Sequence, residues 1–122
     1  LLNSDIGSLE FYSKSGNIPK GVKDVLTKAI GLRNEMTETQ RQLDERRRQI
    51  NEITTEQTRI RENLKTVDRN SDYGTRLLKK LNDQETTLEK LQGEIKELTQ
   101  TYDKQRKELE EYLQGTTIDD KQ

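Results

Sequence analysis

Asp68-Arg69-Asn70-Ser71-Asp72-Tyr73-Gly74 is where the chain changes direction, and its reading decides the fold. Asp, Asn, Ser and Gly favour turns and helix caps, because their short side chains bond nearby backbone or leave it free to bend. No apolar periodicity runs through the stretch. Upstream of it, core residues recur at alternating steps of three and four: Val22, Val25, Ala29, Leu32, Met36, Thr39, Leu43, Arg46, Ile50, Ile53, Gln57, Ile60, Leu64 and Val67. Downstream the pattern resumes through Leu77, Leu81, Gln84, Leu88, Leu91, Ile95, Leu98, Tyr102, Gln105, Leu109 and Tyr112. Each run is a heptad seam, a narrow apolar stripe that a helix buries against a second helix.

Two matched seams joined by so short a connection predict antiparallel neighbours. The fold class is therefore all-α, a long two-helix antiparallel coiled-coil hairpin with short extended segments at its base. The alternative is one very long helix, kinked at the turn, that dimerises, because a seam alone does not set chain direction. Pro19 suits a first helical turn, where its missing N–H is not needed, and Gly115 suits a helix end. These signals divide the chain into an extended segment (1–18), helix 1 (19–67), a turn (68–74), helix 2 (75–114) and a tail (115–122). Arms of this length reach roughly 60–65 Å.

Antiparallel seams also imply a register, with Gln57 facing Gln84, Ile53 facing Leu88, Thr39 facing Tyr102 and Leu32 facing Leu109. A shift by one heptad sets both glutamines against leucines, which is unfavourable by roughly a few kcal/mol. Leu26 and Leu113, just off the seam, thicken the contact at the base. Before Pro19, Ser8 to Tyr12 alternates like a strand between Gly7 and Gly16. The hairpin returns Thr116, Thr117 and Ile118 beside it, and the expectation is a small ribbon there.

Of the 122 residues 27% are hydrophobic and 37% charged, with a mean hydropathy of −1.17. So polar a chain cannot fill a broad core, which agrees with a narrow stripe. Lys and Arg number 22 against 23 Asp and Glu, so no global field draws the chain to nucleic acid or membrane. No apolar run approaches the ~20 residues that span a bilayer, and no membrane insertion is expected. With no Cys and no His, thiolate nucleophiles, imidazole bases and Cys/His zinc sites are excluded. No enzyme activity and no cofactor are expected, since two helices offer no concavity in which a carboxylate is tuned. The chain reads as a piece of a larger protein.

Two groups of residues are candidates for function. Around the turn, Arg59, Arg61, Lys65, Arg69, Arg76, Lys79 and Lys80 stand against Glu62, Asp68 and Asp72, seven basic residues against three acidic ones, four positive charges in excess. A basic end can hold phosphates or an anionic surface; the simpler reading is solvated charge on a narrow helix pair. Tyr73 can stack on a base or enter a partner's pocket; the simpler reading folds its ring over Leu77 or Leu64. Within the seams, Arg46, Gln57 and Gln84 are polar residues that set register, as polar core positions of helix pairs do.

The run Glu56-Gln57-Thr58-Arg59-Ile60-Arg61-Glu62-Asn63-Leu64-Lys65, with Leu77-Leu78-Lys79-Lys80-Leu81-Asn82-Asp83-Gln84-Glu85 after the turn, resembles the coiled-coil segment of bacterial mucoidy-inhibitor-like proteins of unknown function. Leu9-Glu10-Phe11-Tyr12-Ser13 resembles the end of the β-rich domain that precedes the coil there. The resemblance covers nearly the whole chain and implies a bacterial origin and a larger parent, but transfers no catalytic or ligand residues. The function expected is a structural spacer or protein-interaction module, a monomeric hairpin or weak dimer whose partner is a protein or another domain of the same chain. The alternative is a nucleic-acid-binding arm like the helical hairpin of seryl-tRNA synthetases, against which the pI of about 5.7 argues.

Overall fold

A computed structural model describes residues 20–120, and of 117–120 the backbone alone. It is an all-α helical hairpin of two helices, α1 (Lys20–Leu64, 45 residues) and α2 (Asp72–Asp120, 49 residues). No described helix is long and apolar enough to cross a membrane. The strand-like reading of residues 8–12 and the start at Pro19 lie outside the described residues.

The turn is built by its own side chains. Beyond Leu64 the amides of Lys65 and Thr66 bond the carbonyls of Glu62 and Asn63, each at 3.2 Å. These three-residue steps tighten and end α1 before the expected Val67. Asp68 then accepts through both side chain and backbone, its Oδ1 from the Asn70 amide at 2.9 Å and its carbonyl from the Ser71 amide at 3.1 Å. Ser71 caps α2: its Oγ accepts from the Gly74 amide at 3.0 Å while its proton goes to the Asp68 carbonyl. Asp72 adds a negative charge in the first turn, where the helix dipole favours it. The turn thus occupies 65–71, and Gly74, expected within it, lies in α2.

The contacts fall into two compact units, residues up to Arg41 with those from Gln100, and Gln42–Thr99. In the first unit, Ala29, Leu32 and Met36 of α1 cluster with Leu109 of α2, and Ile30, Tyr102, Tyr112 and Leu113 pack around them. Leu32 and Leu109 share that cluster, as the expected register requires. Leu26 is also buried, whereas Val22, assigned to the seam, is 38% exposed. The covered stripe includes the flank that carries Leu26, Ile30 and Leu113, and Val22 lies in the first turn of α1. Lys28 Nζ stands 4.8 Å from the centre of the Tyr112 ring, a cation–π contact that closes one edge.

In the second unit, Ile60 and Leu64 cluster with Leu77, and Val67 and Leu81 pack against them. Ile60 is fully buried. Leu43, Leu88 and Leu91 are buried too, while Ile50, Ile53, Ile95 and Leu98 remain half-buried. A helix with one neighbour covers one side of its stripe, so a partial exposure of seam residues is inherent to a pair.

At its other end α2 runs through Gly115 to Asp120, past the expected stop. Nothing lies within 4 Å of a Cβ built at Gly115, and an exposed helical glycine costs only about 1 kcal/mol. The Thr116 hydroxyl bonds the Tyr112 carbonyl at 2.8 Å, satisfying it within the helix. Residues 116–118 are therefore helical and form no strand, which overturns the ribbon expected with them.

Candidate contact surface at the turn

The sequence places seven basic residues and Tyr73 around the turn, and the structure sorts them into two groups. Four cations are held by carboxylates of the same chain. Lys65 pairs with Glu62 at 3.0 Å, Lys79 with Asp83 at 3.3 Å, Arg59 with Glu56 at 3.5 Å, and Lys80 crosses from α2 to reach the same Glu56. Glu56 and Asp83 lie just outside the window in which the sequence charge was counted, so the local field is weaker than that count implies. Arg61, Arg69 and Arg76 make no side-chain hydrogen bond or ion pair among the described residues.

Tyr73 is 46% exposed, on the second residue of α2. Beneath this end Leu64 and Leu77 are buried with Ile60, and Val67 and Leu81 pack against them. Leu78 is 39% exposed and, five residues from Tyr73, sits on the other rim of the helix. Arg76 follows Tyr73 by three residues, which sets both on one face. The turn end thus presents an aromatic ring beside a free guanidinium, with Arg69 in the turn itself.

The close approach of the turn to α2 depends on Gly74. A Cβ there would lie 2.9 Å from Arg69 Cα and closer still to the Asp68 carbonyl oxygen, so only glycine lets α2 begin against the turn. The Lys80 ammonium, bonded to Glu56, holds that carboxyl below the usual carboxylate range; slight burial opposes this, and the Arg59 guanidinium adds to the lowering.

The seam polar residues behave differently from one another. Arg46, half-buried, donates from Nε to Glu94 Oε1 at 3.1 Å. Gln57, 3% exposed, donates from Nε2 to Glu85 Oε1 at 3.1 Å, not to Gln84 as the register suggested. A carboxylate is the stronger acceptor, and a glutamine side chain reaches the rim. Gln84 Oε1 is left buried with no hydrogen bond among the described residues. Thr39 Oγ1, also buried, lies 2.8 Å from Gln105 Oε1 and 3.1 Å from the Glu35 carbonyl. Sequence reasoning missed Glu85, Glu94 and Glu56 as partners across the pair; the available clue was an acidic residue on the flank beside each basic or amide position.

An open groove of about 590 Å³ runs beside the Arg46–Glu94 pair, with Ile53 and Leu91 along its apolar side. The described residues contain no group of three Asp or Glu that would hold a metal ion. What the turn end can do chemically is make contact: charge-assisted bonds from guanidinium groups and burial of one ring. Compared with protein-family models, with curated proteins and with solved structures, the chain matches none.

Proposed function

We propose that this chain is a non-catalytic coiled-coil module of a larger bacterial protein, similar to the mucoidy-inhibitor-like proteins, and that it acts as a spacer whose turn end docks on a protein partner. The observation that carries the reading is the exposure of Tyr73 in the first turn of α2, beside a turn that Asp68 and Ser71 hold with their own hydrogen bonds. A tyrosine has few rotatable bonds to immobilise when a partner buries it, and it is enriched where binding energy concentrates. The apolar seam is occupied within the chain by the clusters of each unit, so the turn end is free to serve contact.

The nucleic-acid arm is the competing reading, and the test sets the two against each other. Fluorescence anisotropy of labelled RNA and duplex DNA is followed across a salt series, with wild type beside a variant carrying Arg69→Glu, Arg76→Glu and Lys79→Glu. The docking reading expects no binding even at low salt. Affinity that falls steeply with salt and disappears in the variant overturns it in favour of phosphate recognition at the turn.

A further inference from the structure

The chain contains ten arginines, and the structure separates them by place. Arg33, Arg41, Arg46, Arg47, Arg48, Arg59 and Arg106 each bond or pair with a neighbouring side chain. Among the described residues, the three that do not are Arg61, Arg69 and Arg76, and all three flank or occupy the turn. Guanidinium groups left unpaired at one end of a molecule whose other arginines are paired mark a surface available to carboxylates or phosphates.

From this segregation we infer that the turn end takes an acidic segment of a protein partner, with carboxylates meeting Arg69 and Arg76 and an apolar recess receiving the Tyr73 ring. The inference rests on the docking reading above and adds the partner's chemistry. Charge complementarity names the carboxylates. Nucleic acid fits less well for three reasons. Glu56, Glu62 and Asp83 sit among the lysines of this end and hold them, and Asp68 and Asp72 lie in and beside the turn itself. A phosphate backbone draws on an extended run of free cations, whereas with the lysines already paired the free guanidinium groups suffice only for a short acidic segment. One tyrosine is no stacking platform for successive bases. The second exposed apolar group, Leu78, offers aliphatic contact that suits a protein surface. Arg and Tyr together are also the pair of residue types that dominate protein interfaces.

The test uses the full chain, isotopically labelled, titrated with a glutamate-rich peptide bearing a central leucine, with its glutamine counterpart and with a single-stranded oligonucleotide, and read by amide chemical shifts. The expected result is shifts confined to residues around 68–80 with the glutamate peptide and none with the glutamine one. Affinity should fall about tenfold for Arg69→Glu with Arg76→Glu and several-fold for Tyr73→Ala. Reversing Arg47 and Arg48, which makes the same change in net charge where the arginines are already paired, should leave it unchanged. Equal loss in that control overturns the inference, because binding is then generic attraction. No binding by peptide or oligonucleotide also overturns it, yet leaves the docking reading in place. Binding of the oligonucleotide alone, sensitive to the turn arginines, overturns both.

Discussion

Arg46 Nε donates to Glu94 Oε1 at 3.1 Å across the hairpin, from a position that the apolar spacing assigns to the seam. Both side chains are about 70% covered, so the pair keeps water on one side. Such a pair contributes little net stability but is unfavourable to break on one side only. In a double-mutant cycle of Arg46→Ala and Glu94→Ala, urea unfolding should give a coupling of about 0.5–1 kcal/mol. Arg46→Leu should stabilise the helix pair while adding dimers in sedimentation equilibrium. A variant that is more stable and no less monomeric would remove the register-setting role from Arg46.

Among the described residues Gln84 leaves an amide oxygen buried without a bond, whereas Gln57 is satisfied by Glu85. Gln84→Leu should therefore raise stability by about 1 kcal/mol, seen as a higher urea midpoint at unchanged slope. Gln57→Leu should not share the gain, because it removes a bond already made. Equal effects at the two sites would contradict the asymmetry between them.

Gly74→Ala places a methyl group against the Asp68 carbonyl and Arg69 Cα, both backbone. The turn must open, at roughly 2 kcal/mol. Hydrogen exchange should then rise first at the Asn70, Ser71 and Thr75 amides, which make the turn's bonds. Gly93→Ala, with nothing within 4 Å of its Cβ, should instead stabilise the helix.

Glu56 is held below the ordinary carboxylate range chiefly by its bond to Lys80, with Arg59 assisting. A carboxyl lowered on folding favours the folded state at pH values above its unfolded pKa, and that contribution disappears as the pH falls through the folded pKa. Water screens so exposed a pair, so the clean readout is the Glu56 side-chain carbon titrated by NMR. Lys80→Gln should move its midpoint upward, toward the usual value, and Arg59→Gln should move it less. A larger shift from Arg59→Gln would reverse the order of the two causes.

The number of helices, their direction and the place of the turn were all legible in the sequence. Each depends on a local or periodic property: two stripes at three-and-four spacing, and one cluster of capping residues without apolar period. The cap fell to Ser71, within the stretch that composition marked. Fine boundaries were less legible, because a lone exposed glycine such as Gly115 weakens a helix by an amount that the surrounding turns easily outweigh. The partners of polar side chains were hidden for a different reason. Whether Lys80 meets Glu56 or Gln57 meets Glu85 depends on how far each helix is rotated about its axis and how far long side chains reach across the rim. Spacing along one chain contains neither quantity. The same holds for the turn end, where residue counts saw a uniform basic patch. Only the folded pair decides which cations the chain has already neutralised and which three arginines, beside an exposed Tyr73, remain for something else.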